Sequence, residues 1–233
     1  MKTASRERQP LLLCFCAGAA VWCLATSAAC AGTITYPDVV GNGFTITNIS
    51  ESNALAGSVA LYGAPSLTAD RTGITFDASS HPFTASAANG GSSSVSGTLN
   101  FTVVFGTPPQ GSPDVTVNET GTFAGVGNAS ASVVPALMLF DSSSNLLRSV
   151  TGVTSPSSPF LGGANDAKTA FVWNGTANAS DGAVLSSFKV SLDNTLNAAS
   201  LAEGASAQVD KKLITIEVCT DCAGAIPEPA SLG

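Results

Sequence analysis

His81 is the first residue to weigh for chemistry, because a Ser-His-Asp hydrolase would have to use this one histidine as its base. It stands before Pro82 and beside Ser79-Ser80, and no Gly-x-Ser-x-Gly elbow occurs to present a nucleophile. A lone loop histidine of this kind reads as a surface residue. Ser186-Ser187-Phe188-Lys189 matches Ser-x-x-Lys by spacing. That pairing needs a helical turn to bring Ser and Lys to one face, whereas an alternating strand sends them to opposite faces. Cys219-Thr220-Asp221-Cys222 is a C-x-x-C that follows a strand pattern. A thioredoxin-like site wants the motif at a helix start, and a structural zinc site wants four ligands. A small local disulfide between Cys219 and Cys222 is therefore expected, and no metal site. The carboxylates Asp70, Asp77, Asp114, Asp141, Asp166, Asp181, Asp193 and Asp210 are spread singly, without calcium-loop spacing, and read as solvated turn residues. Trp173, the only Trp beyond residue 31, is the candidate carbohydrate contact, although alternation sets it with Phe171 on a face that also suits a core. The expectation is a chain with no catalytic residues and no cofactor, hence no enzyme. A carbohydrate-binding module using Trp173 is the alternative, with a secreted hydrolase behind it.

The elements that must carry these residues follow a period of two. Val95, Gly97, Leu99, Phe101, Val103 and Phe105 alternate with Ser96, Thr98, Asn100, Thr102 and Val104, and Ile214, Ile216 and Val218 alternate with Leu213, Thr215 and Glu217. Further strands are expected at 33–37, 43–49, 56–62, 73–77, 113–124, 129–140, 145–150, 167–174 and 183–192. Turn chemistry separates them at Gly41-Asn42-Gly43, Asn89-Gly90-Gly91, 141–145 and Asn174-Gly175. Gly57, Gly97 and Gly121 suggest bulges or close sheet approach. The expected fold is all-β: an antiparallel β-sandwich, jelly-roll-like, with at most one short helix. That helix would lie at 192–199, capped by Asp193 or Asn194.

Hydrophobic residues make up 44% of the 233, but charged residues only 11%, against about 25% in an ordinary domain. Ser, Thr, Asn and Gly fill the deficit. Net charge is −7, and no basic run exceeds Lys211-Lys212. Nucleic acid is excluded as a partner, because binding it needs clustered cations.

The ends are the more specific part. Lys2, Arg6 and Arg8 precede an uncharged apolar stretch at 11–24, and Ala29-Cys30-Ala31 stands before Gly32. This reads as a signal peptide over 1–31, cut by signal peptidase between Ala31 and Gly32 with Ala29 and Ala31 as the small flanking residues. Four cysteines fall in that leader, so Cys219 and Cys222 would reach an oxidising compartment. A β-sandwich domain is expected over 32–222, and 223–233 as an extended tail whose prolines keep it out of the sheet.

That tail ends Ile226-Pro227-Glu228-Pro229-Ala230-Ser231-Leu232-Gly233 and closely resembles the sorting signal of PEP-CTERM proteins. The resemblance implies that an exosortase recognises Pro227, Glu228 and Pro229. It implies export through the inner membrane of a Gram-negative cell to the surface or the extracellular matrix, with exopolysaccharide as a partner in a biofilm. In that family an apolar helix of about 20 residues and an Arg cluster follow the motif. The sequence stops at Gly233 before either, and a chain truly ending there would be freely secreted.

Overall fold

The computed structural model describes residues 32–55, 59–109, 111–162 and 168–219. The strands are β1 (Gly32–Thr35), β2 (Val39–Val40), β3 (Phe44–Asn53), β4 (Pro65–Leu67), β5 (Gly73–Asp77), β6 (Thr84–Ala88) and β7 (Ser92–Phe105). They continue as β8 (Asp114–Val126), β9 (Ala129–Phe140), β10 (Leu146–Thr151), β11 (Val153–Ser155), β12 (Phe160–Leu161), β13 (Lys168–Ser180), β14 (Ser187–Ser200) and β15 (Ser206–Cys219). All pairings are antiparallel, in two sheets. The first runs β1-β3-β7-β14-β9-β10, with β2 on β3 and β12 on β9. The second runs β11-β13-β8-β15-β5-β4, with β6 on β15. The expected antiparallel sandwich is the fold. From β7 onward the long strands β7, β8, β9, β13, β14 and β15 alternate between the sheets, while β9 and β10 form a hairpin within the first sheet.

The core lies between the sheets, and alternation builds it. Leu99, Phe101, Val103 and Phe105 of β7 point inward, as do Val115, Val117 and Phe123 of β8. The single 3-10 turn, Ala78–Ser80, is the only helical element among the described residues.

Three sequence expectations are corrected. The helix at 192–199 is part of β14. Leu192, Asn194, Leu196 and Ala198 are buried at every second position, and the strand is hydrogen-bonded on both sides, to β7 and β9. A fully paired central strand with one buried face outweighs local capping residues. Asn174-Gly175 is not a turn but mid-β13, where Asn174 pairs with Thr120 and Gly175 with Glu119. The strand at 56–62 does not form over its described part, 59–62. There Leu61 and Tyr62 are fully buried, and their N–H groups donate to the Glu51 carboxylate at 2.6 and 3.1 Å instead of to a neighbouring strand.

Gly121 confirms the close-approach reading, for a Cβ there would overlap the Asp210 carbonyl and the Trp173 ring. Opposite it, β15 bulges between Lys211 and Leu213, which turns the inward phase from Val209 and Lys211 to Ile214 and Ile216. Asp210 fixes the bulge by accepting from Thr122 N at 2.8 Å and Thr122 Oγ1 at 2.7 Å. Asp210→Ala leaves those donors unmatched and is expected to cost about 1–3 kcal/mol, read as a lower urea midpoint at unchanged slope.

Candidate functional site

The outer face of the first sheet is a polar, charge-poor surface. Register lines its side chains into rows across four strands: Phe140-Lys189-Thr102-Thr47 and Met138-Ser191-Asn100-Ser50. A third row, Ala136-Asp193-Thr98-Ser52, is tied where Thr98 Oγ1 donates to Asp193 at 2.5 Å. Serine, threonine and asparagine dominate because they suit the pleated surface and occupy every second position opposite the core.

At one end the rows sink into a groove of about 430 Å³. Its floor carries Asn100, Thr102 and Ser191, and its walls carry Phe140, Lys189 and Asn48. Two irregularities shape it. The register of β3 shifts between Thr47 and Ser50, with Asn48 at φ 53°, and this lifts the Asn48 side chain to the rim. Across the groove, the turn after β9 is clamped by Asp141, which accepts from Asn145 N at 2.8 Å and Asn145 Nδ2 at 2.7 Å. Those bonds, the side-chain one foremost, hold the Asp141 carboxyl below its ordinary pKa. Lys189 Nζ donates to Ser144 Oγ of the same turn at 2.6 Å. The groove thus offers one partly exposed aromatic ring, an ammonium and several neutral donors and acceptors. Sequence reading missed it, because its residues come from four strands whose order it could not supply.

Trp173 is not a surface contact. It is 0% exposed, stacks on Phe160 at 6.3 Å between ring centroids, and donates from Nε1 to the Asp210 carbonyl at 3.1 Å. No face of the indole is free for a sugar, so the carbohydrate contact expected of Trp173 is withdrawn. His81 caps the 3-10 turn with its backbone N–H on Ala78 O. The neighbouring hydroxyl, Ser79 Oγ, donates to Asp77 at 2.5 Å, and this bond is the main reason Asp77 titrates below its ordinary value. The carboxylate therefore holds this serine, and among the described residues no serine is hydrogen-bonded to the His81 side chain. Ser186 precedes β14, while Lys189 belongs to the groove. Cys219 is disulfide-bonded. Cys222, the sorting motif Pro227-Glu228-Pro229, and Ala29 and Ala31 of the signal cleavage site lie outside the described residues, while Gly32 opens β1. Among the described residues no three His, Cys, Asp or Glu side chains gather to hold a metal.

A second constellation lies inside the sandwich. Glu119, Asn194 and Lys211 occupy inward positions of β8, β14 and β15, each at most 1% exposed. Lys211 Nζ stands 2.6 Å from Glu119 Oε2 and contacts Asn194 Oδ1. Asn194 Nδ2 donates to Tyr62 Oη at 3.2 Å, and Tyr62 Oη donates to the Gly97 carbonyl at 2.8 Å. The other carboxylate oxygen, Glu119 Oε1, is buried without a hydrogen-bond partner. The rings of Phe83 and Trp173 flank the amine at 5.3 and 5.8 Å from their centroids. Burial pushes the Lys211 pKa down, with Glu119 opposing it, and burial drives the Tyr62 phenol well up. The one trace of this in the sequence is a polar residue on an apolar beat, as in Val115, Val117, Glu119 or Leu192, Asn194, Leu196.

No protein-family model and no curated protein matches the chain. Among solved structures, TmCBM61 in complex with β-1,4-galactotriose is 17% identical over 60% of this chain and 68% of that one, at a TM-score of 0.20. The enzymatically active domain of bacteriophage CBA120 tailspike protein 4 is 9% identical over 74% of this chain and 19% of its own, at 0.20. Arabinose-bound MgGH51 α-L-arabinofuranosidase is 14% identical over 78% and 27%, at 0.19. Likenesses of this size carry no inference about what the chain binds or does.

Proposed function

We propose that this is an exported, non-enzymatic β-sandwich of the cell surface or extracellular matrix, directed by its Pro-Glu-Pro tail and associating with exopolysaccharide through the outer face of the first sheet. The observation that carries the polysaccharide part is the groove of Asn48, Asn100, Thr102, Phe140, Lys189 and Ser191. A neutral glycan presents hydroxyls together with an apolar C–H face. Amide and hydroxyl side chains match the first and a partly exposed ring the second, which is the usual division of labour in a small-molecule site. An open groove on a weakly charged sheet face also suits an extended polymer better than an enclosed substrate.

Phe140→Ala and Asn100→Ala should each abolish the retardation of the protein in gels containing the host's exopolysaccharide, while the urea midpoint changes little. Retardation as strong as wild type in both variants would remove the groove from the reading. The sorting part rests on the tail's resemblance. Deleting 226–233 from the chain carrying a full sorting tail, in an exosortase-bearing host, should abolish surface display. Display at the wild-type level would overturn it.

A further inference from the structure

The geometry points to a self-made covalent cross-link: an intramolecular amide between Lys211 Nζ and Asn194 Cγ, formed with Glu119 as proton carrier and with loss of ammonia. A nucleophile, an electrophile and an acid–base group meet here in one closed site. The amine lies against the Asn194 carbonyl oxygen, one bond from the carbon it would attack. Glu119 is 2.6 Å from the amine, near enough to take its proton directly. The leaving amide nitrogen points the other way, toward Tyr62 Oη. All three reacting residues are at most 1% exposed, so water does not compete as nucleophile.

Burial also supplies the reactive form of the amine. An ammonium cannot attack, and desolvation favours the neutral amine. Lys211 gives one proton to Glu119, and the free amine adds to Asn194 Cγ. The protonated Glu119 polarises Asn194 Oδ1 and protonates the departing nitrogen, while the attacking nitrogen returns a proton to the carboxylate. An ammonium–carboxylate pair and a primary amide become a secondary amide, a neutral carboxylic acid and ammonia. No oxidant, metal or outside reagent enters. Both reactants sit on long paired strands, and such fixed placement is worth effective concentrations of about 10⁵–10⁸ M. Glu119 Oε1, buried without a partner before reaction, is a carboxyl oxygen available to bond the new amide once the carboxyl is protonated. Because β14 belongs to the first sheet and β15 to the second, the bond would tie the two layers together. A buried ion pair alone needs only Lys211 and Glu119. In such a pair Asn194 Oδ1 serves as a second acceptor for the ammonium, whereas the condensation also uses the carboxamide carbon behind that oxygen.

Peptide mapping of the purified full chain tests this directly. Asn194 and Lys211 lie on either side of Glu203, between Lys189 and Lys212. Digestion with Glu-C and trypsin should release 190–203 and 204–212 as one branched species, lighter than the two free peptides by one ammonia. Separate 190–203 and 204–211 peptides at their unmodified masses would overturn the proposal. Glu119→Gln should return those separate peptides, and a branched species in that variant would remove Glu119 from the reaction.

Discussion

Trp173→Ala is expected to lower stability by about 3–5 kcal/mol, a large fraction of what a domain has, without any direct effect on polysaccharide retention by the molecules still folded. The indole is fully buried and joins a ring cluster, lying on Phe160, which in turn meets Phe171 and Phe123 at 5.3 and 5.7 Å. It also spans β8. Its ring occupies the space that Gly121 leaves by having no side chain, and its N–H reaches across to the Asp210 carbonyl of β15. Truncation removes the transfer free energy, leaves a void that rigid strands cannot close, and strips a donor from a buried carbonyl. Urea denaturation reads the loss as a lower midpoint at unchanged slope. A midpoint equal to wild type would mean that the ring is not in the core, and would reopen the surface reading of Trp173.

What could be read in advance follows from which signals are local. The alternation from Val95 to Phe105 is strong, and β7 forms over it because one face meets the other sheet. The extensions of β13 to Ser180 and β14 to Ser200 were underread, since Ala177, Ala179 and Ala198 bury too little surface to mark an inward face. Asn174-Gly175 and Asp193-Asn194 carried sound local preferences for a turn and a cap. Ladder bonds on both sides of β13 over 174–176 and of β14 across the pair overrode them. Both constellations were hidden for one further reason. The groove depends on β3, β7, β14 and β9 being neighbours, and the Glu119-Asn194-Lys211 cluster depends on register between sheets. Neither kind of information resides in any window of the sequence. A polar residue on an apolar beat of β8, β14 and β15 marks three buried sites, but not that they converge.

The stability of Glu119 and Lys211 variants should separate a cross-linked core from an ion-paired one. Glu119→Leu alone leaves the Lys211 amine desolvated beside Phe83 and Trp173 with no counter-charge, a loss of about 3–5 kcal/mol for breaking a buried pair. Lys211→Met combined with Glu119→Leu removes both charges and fills the space with apolar atoms. For a simple buried pair such a replacement is neutral or stabilising by about 1–4 kcal/mol, so the double variant would match or exceed wild type. A cross-link changes the outcome. It closes a loop between positions 17 residues apart, and a covalent closure of that size restricts the unfolded chain by about 3 kcal/mol in the loop-entropy account. The double variant cannot form the bond. It is therefore expected to recover the unpaired-charge loss yet stand about 3 kcal/mol lower than the replacement of a simple pair would, between about 3 below and about 1 above wild type in urea. A double variant more than about 1 kcal/mol above wild type would assign the cluster to electrostatics alone. One that stays lower, while the wild-type digest holds 190–203 and 204–212 together as one species, would locate the missing stability in the bond between the sheets.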